Sequence, residues 1–235
     1  MRRSHRLDAL SSPDVAAVAA SSLLAVPVGS TEQHGPHLPL TVDTDIATAL
    51  ADTLARERDD VLLAPAVSYG SSGEHAGFAG TLSIGQEAVE SVLVELGRSA
   101  DAFAGVVFVS GHGGNAVPLA RAVARLRREG RRVLPWSPTG SPTDSHAGRT
   151  ETSVMLALRP ETVRTHLAKA GDVRPLAELL PRLRASGVRA VSGNGVLGDP
   201  AGATAEEGRR ILAAWSSDLL TVTERWAAAA RAATD

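Results

Sequence analysis

The chain contains no cysteine. That one absence excludes disulfides, thiolate metal sites and cysteine nucleophiles, so any metal must be held by imidazole nitrogen and carboxylate oxygen. Lysine is almost missing too. Lys169 is the only one, and arginine carries the remaining positive charge, which reads as a coding bias more than a function. There is no basic surplus: the formal net charge is -2, which argues against a nucleic-acid footprint. No apolar run approaches transmembrane length. The opening MRRSHR ahead of VAAVAASSLLAVPV loosely imitates a signal peptide, but Asp8, Pro13 and Asp14 interrupt it. The stretch divides better into a short helix over residues 13–20 and a strand over 23–28. A cytoplasmic protein without membrane contact is expected. Catalytic signatures are also missing: G-x-S-x-G, G-x-G-x-x-G after the first strand, a P-loop and H-E-x-x-H are all absent.

What is present describes an α/β protein. At 235 residues and 43% hydrophobic content, the chain suits one sizeable domain over 1–235. Short Val- and Leu-rich runs at 23–28, 61–67, 106–110 and 132–136 read as buried parallel strands. Between them, residues 46–58, 86–103 and 116–129 carry apolar positions at helical spacing. Further helices are expected over 151–158 and 205–232. Strand, crossover helix and strand in repetition predict a mostly parallel sheet covered on both faces.

In such sheets ligands gather beyond the carboxyl ends of the strands. The segments there are GSTEQHGPHLP, SYGSSGEHAGFAGT, GHGGN and SPTGSPTDSHAGRTE. They hold five of the seven histidines: His34, His37, His75, His112 and His146. Glu32 and His34 are two apart, so in extended chain both face one side. Asp43 is expected just before a helix starting near Asp45, where Asp43, Thr44 or Asp45 could equally serve as a cap. His112 sits in SGHGGN, whose glycines permit a sharp turn. Glu151 falls in a first helical turn, a place favourable to a carboxylate on dipole grounds alone. Taken together, Glu32, His34, Asp43, His112 and Glu151 offer three carboxylates and two imidazoles. That is too much charge for a single tetrahedral zinc, and it suits two divalent cations sharing one carboxylate. His146 is the candidate proton donor.

These motifs resemble the creatininase family across residues 23–160, from GSTEQHGPHLPLTVDTD through EHAGFAGTLSI and SGHGGN to HAGRTETS. The resemblance implies a three-layer α/β/α fold, a two-metal amidohydrolase centre and a homo-oligomer such as a hexamer. It makes Glu32 and His34 ligands to different metals, Asp43 the bridge, His112 a further ligand and His146 the catalytic histidine. Zinc or iron(II), with manganese also acceptable, is the cation implied. Creatinine-hydrolysing members carry a glutamate where this chain has Gly114, so Glu151 is the expected replacement. Ala79 stands where many relatives have proline. Within the family, the short length and the SYGSSGEHAGFAGTLSIG segment favour a peptidase that takes a C-terminal Val-Tyr dipeptide from a short modified precursor peptide. The alternatives are a creatinine or formamide hydrolase using the same metals, and a non-catalytic scaffold that has kept the fold. The tryptophans that close over a small ring in creatinine hydrolases have no counterpart in SPTGSPTDSH.

Overall fold

A computed structural model describes residues 5–141 and 143–231. Residues 1–4 of the signal-like opening and the expected last helical residue, Ala232, lie outside them. Four strands form among the described residues: β1 (Leu23–Val28), β2 (Val61–Leu63), β3 (Gly105–Ser110) and β4 (Val133–Trp136). Their order is β2-β1-β3-β4 and every pair is parallel. Because strand side chains alternate, Leu23 and Ala25 join Val107, Val109 and Leu134 in one apolar cluster. Leu24, Val26 and Val28 join Val106, Phe108 and Val133 in the other.

Each face is covered by helices. On the first lie α2 (Val42–Glu57), α5 (Arg149–Leu158) and α7 (Ala205–Arg231), which bury Ile46, Met155 and Leu219. On the second lie α3 (Gly85–Ser99) and α4 (Ala116–Arg128), burying Leu93 and Leu126. The first helix, α1, is short (Ser12–Ala16), with Ser11 and Asp14 forming a capping box. The parallel sheet thus lies between two helical layers, a three-layer α/β/α arrangement.

Several boundaries differ from the sequence reading, each for a local reason. Strand β2 stops at Leu63 because Pro65 follows closely and cannot donate to the ladder. Only an isolated bridge, Val28 with Val67, continues it. Helix α3 ends at Ser99, four residues early, and the turn that follows carries Phe103 to the core edge. Helix α2 starts at Val42, so Asp43 lies inside its first turn and caps nothing. Thr41 holds the N-cap position, and its hydroxyl donates to Asp45.

One element was not anticipated. Residues Leu176–Val191 form α6, helical on both sides of Gly187, whose φ is 72°. Pro181 and Gly187 hid it, since each is a helix breaker by propensity. At Gly187 a side chain would collide with the Glu74 carbonyl, 2.8 Å from the Cβ position, so the break lets α6 settle against the Gly73–His75 turn. The Arg189 guanidinium pins the same contact by donating to the Gly77 carbonyl at 2.6 Å.

Candidate metal centre

The polar groups beyond β1 and β3 meet because two glycines leave room. A Cβ at Gly29 would run into Thr44, and one at Gly111 into the Asp43 carbonyl. Their absence brings the first turn of α2 hard against the strand ends, and Asp43 enters the centre of the site. Its Oδ1 lies 3.2 Å from His34 Nε2 and its Oδ2 lies 3.1 Å from His112 Nδ1. Ser30 donates to the same Oδ2 at 2.5 Å. One carboxylate therefore faces two imidazoles, one with each oxygen.

Glu32 and His34 both turn toward Asp43 and His112, whereas the Gln33 side chain between them bonds the Gly195 carbonyl and the outer ring nitrogen of His75. The Glu32 carboxylate is 1% exposed and stands 3.3 Å from His112 Nε2, 3.4 Å from His75 Nε2 and 3.7 Å from His146 Nδ1. Glu151, in the first turn of α5, lies 3.8 Å from His34 Nε2 and accepts the Ala147 N–H at 2.6 Å. That turn is held by Asp144, which accepts the Arg149 and Thr150 N–H groups at 2.8 and 2.7 Å.

Three of the imidazoles are oriented in the same way. His34 Nδ1–H donates to the Glu32 carbonyl (3.2 Å), His112 Nε2–H to the Ser71 carbonyl (3.0 Å) and His146 Nε2–H to the Gln33 carbonyl (2.8 Å). In the neutral ring that a metal requires, a nitrogen fixed by a backbone carbonyl leaves the other with its lone pair. In each case the free nitrogen faces the carboxylates.

Burying this much charge perturbs every member. Desolvation, helped by the Asp43 charge, pushes Glu32 up to about 7. Burial works against the cationic form of His34, but Asp43, Glu151 and Glu32 outweigh it and raise the group to about 10. His112 is likewise raised to about 10, with Glu32 and Asp43 overcoming burial. Asp43 is held well below the carboxylate range because His34 and His112 overcome its own desolvation. Burial raises Glu151. His75 falls to about 3, and His146 falls well below its usual value, through burial and the neighbouring imidazoles.

Cations fit this donor set. Glu32 Oε2 and His34 Nε2 are buried without an aligned hydrogen-bond partner, a costly condition for polar groups and one that a bound ion relieves. Glu32, Asp43 and His112 bring ligand atoms within 4.8 Å of one another, as do His34, Asp43 and Glu151. Asp43 belongs to both groups. Glu32, His34 and His146 form a third, overlapping group.

Some participants were not singled out from the sequence. His75 lies with its ring 4.4 Å from that of His146. Gln33 ties the two together: its side chain donates to His75 Nδ1 at 2.8 Å and its carbonyl accepts the His146 Nε2–H at 2.8 Å. Asn115 accepts the Ser71 N–H and donates to the Gly29 carbonyl, both at 3.0 Å, so it clamps the ends of two loops. The GHGGN motif contained that residue, but its partners are set by tertiary contact. His37, by contrast, turns away and shares a hydrogen bond with Thr152 at 2.9 Å.

The cluster forms the floor of a cleft of about 750 Å³, within the range of small-ligand sites. One wall comes from α6 through Leu176, Leu180, Leu183 and Arg184. Trp136 is far from this opening in role: it sits in the core, its indole N–H donating to Asp218.

The family model described as "Creatininase: Creatinine amidohydrolase" matches residues 8–223. A mycofactocin precursor peptide peptidase of Mycobacterium tuberculosis (strain H37Rv) is 54% identical over 217 residues, covering 88% of this chain and 86% of its own. The enzyme of the same name from Mycolicibacterium smegmatis is 53% identical over 211 residues, covering 87% and 85%. Among solved structures, a variant creatininase of zinc–zinc type superposes with a TM-score of 0.80 at 23% identity, over 95% of this chain and 98% of that one.

Proposed function

Because the chain belongs to the creatininase family, we propose that it is a metal-dependent peptidase that removes the C-terminal Val-Tyr dipeptide from the modified mycofactocin precursor peptide. The 54% identity to peptidases of that name supports the substrate. The observation that carries the chemistry is the buried set of carboxylates and imidazoles around Asp43, opening into a cleft. On this reading residues 1–235 act as one creatininase-like domain, in the cytoplasm. Among the described residues no helix is long and apolar enough to cross a membrane. A homo-oligomer, a hexamer by resemblance, fits the exposed apolar side chains Leu40, Tyr69, Leu82 and Ile84.

Glu32, Asp43 and His112 would hold one divalent cation, and His34, Asp43 and Glu151 the other. Zinc or iron(II) is our assignment, with manganese acceptable to the same donors. Such a pair supplies Lewis-acid polarisation of an amide carbonyl and a nucleophile at neutral pH. The residues themselves handle position and protons. Asp43 keeps the two halves in register through its separate oxygens. His146 has its Nε2–H committed to a backbone carbonyl, so its working atom is Nδ1. That nitrogen accepts the proton released from the attacking water and returns it to the departing amine, while the water oxygen stays on the carbonyl carbon. The hydrogen bond to Gln33 keeps the ring oriented through both transfers.

The test uses the metal-loaded protein with the modified peptide ending in Val-Tyr and, separately, with creatinine. Mass spectrometry should show release of the dipeptide and no creatinine turnover. Creatinine hydrolysis without dipeptide would replace the substrate assignment. A protein that holds no stoichiometric metal and releases neither product would be a scaffold.

A further inference from the structure

The cleft is lined unevenly in charge. Its floor carries the carboxylates of Glu32, Asp43 and Glu151, and Glu74 adds a fourth at the side. Among the described lining residues, Arg184 is the one arginine or lysine. It lies on α6 in register with Leu176, Leu180 and Leu183, so four side chains at helical spacing present one mixed face to the opening. Arg184 is exposed, and among the described residues no ion pair or hydrogen bond engages its guanidinium. Many other arginines of the chain are paired, such as Arg98 with Glu129 and Arg149 with Glu207. An unpaired guanidinium beside an apolar wall suits a planar carboxylate at the end of an apolar segment.

The proposed reaction supplies such a group. A peptide cleaved two residues from its end presents its α-carboxylate about 7 Å beyond the scissile carbonyl. The cations would offset the floor carboxylates around the scissile bond, leaving the chain-end carboxylate, about 7 Å away, to find its own positive partner. The anchor must therefore stand on the cleft wall, away from the metal-holding residues, which is where α6 places Arg184.

We propose that Arg184 binds the free α-carboxylate of the substrate's C-terminus, with Leu180 and Leu183 receiving the apolar side chains next to it, so that the cleft selects chain ends. This rests on the peptidase reading above. The contacts of Gly187 with the Glu74 carbonyl and of Arg189 with Gly77 hold the wall in place against the turn that carries His75.

The experiment compares the Val-Tyr-ending peptide as free acid and as C-terminal carboxamide, using wild type, Arg184→Gln and Arg184→Lys, each checked for metal content. Wild type should cleave the acid about 10- to 100-fold better in kcat/KM, the range of a charge-assisted hydrogen bond. Arg184→Gln should lose that preference, chiefly through KM on the acid, and Arg184→Lys should recover part of it. Equal cleavage of acid and amide by wild type overturns the proposal, as does an acid preference that survives in Arg184→Gln. Loss of metal from Arg184→Gln would make the role structural and also overturn it. Wild type that cleaves neither peptide would instead sink the peptidase reading, and the anchor with it.

Discussion

The Glu74 carboxylate fills the space that a side chain at Gly114 would need: a Cβ built there comes within 2.5 Å of Glu74 Oε1. It would also meet the Ser71 carbonyl and His112 Nε2. The site therefore has no room for a carboxylate at 114, and the acid on the His34 side comes from Glu151 on another element.

Gly114→Ala should consequently damage the centre although it adds one methyl group. The Ser71 carbonyl cannot yield as a flexible side chain would, and His112 has to move. Overpacking of this kind costs about 1–3 kcal/mol. Thermal unfolding should show a lowered Tm, and metal analysis a substoichiometric content. Unchanged metal binding would mean that the loop relaxes freely.

His146→Ala separates two roles that the geometry permits. As a proton carrier, its loss should lower kcat by about 10²–10⁴-fold with metal content intact. As a ligand in the overlapping group with Glu32 and His34, its loss should remove metal as well. We expect the first result.

Asp144→Ala tests how Glu151 is positioned. Asp144 accepts two backbone N–H groups of α5 and also the Thr150 hydroxyl, so it does from outside the helix what the Gly148 N-cap, lacking a side chain, does not. Removing a cap costs about 1 kcal/mol. The Tm should fall modestly, and activity should fall further than the Tm suggests, because the turn bearing Glu151 loosens. Asp144→Asn should restore much of both.

The metal-free protein should be most stable near pH 6.5 and lose stability above it. His34 and His112 are raised to about 10 in the fold, so the native state holds protons that the unfolded chain releases from about pH 6.5 upward. Stability therefore declines between about 6.5 and 10. Below 6.5, His75 at about 3 and the depressed His146 resist charging, while the raised Glu32 partly offsets them. Lower still, the stabilising charge of Asp43 is lost only well under the ordinary carboxylate range. Metal requires deprotonated ligands, so the gain in Tm on adding cation should grow with pH. A metal-free Tm that rises from pH 7 to 9 would contradict the pairing described.

The sheet was legible in the sequence because buried parallel strands must be short, apolar and separated by helices. Strand β1 and the start of α4 fall where the pattern places them. The α6 segment was not legible, since Pro181 and Gly187 argue locally against a helix that packing against the Gly73–His75 turn stabilises. Asp43 shows the same limit on a smaller scale. Its sequence position suits a cap, and only the glycine-permitted approach of α2 to the strand ends makes it the meeting point of two histidines.

By itself the sequence determined the kind of chemistry available: oxygen and imidazole donors without any thiol, collected after the strands of one parallel sheet. It did so because donor type belongs to the residue, and the strand-helix alternation sends those loops to one edge. Tertiary structure alone decided which nitrogen of each imidazole faces inward, what closes off the space at Gly114 and which arginine overlooks the cleft. Those outcomes depend on distances between residues far apart in the chain, set by backbone carbonyls, glycine gaps and helix packing.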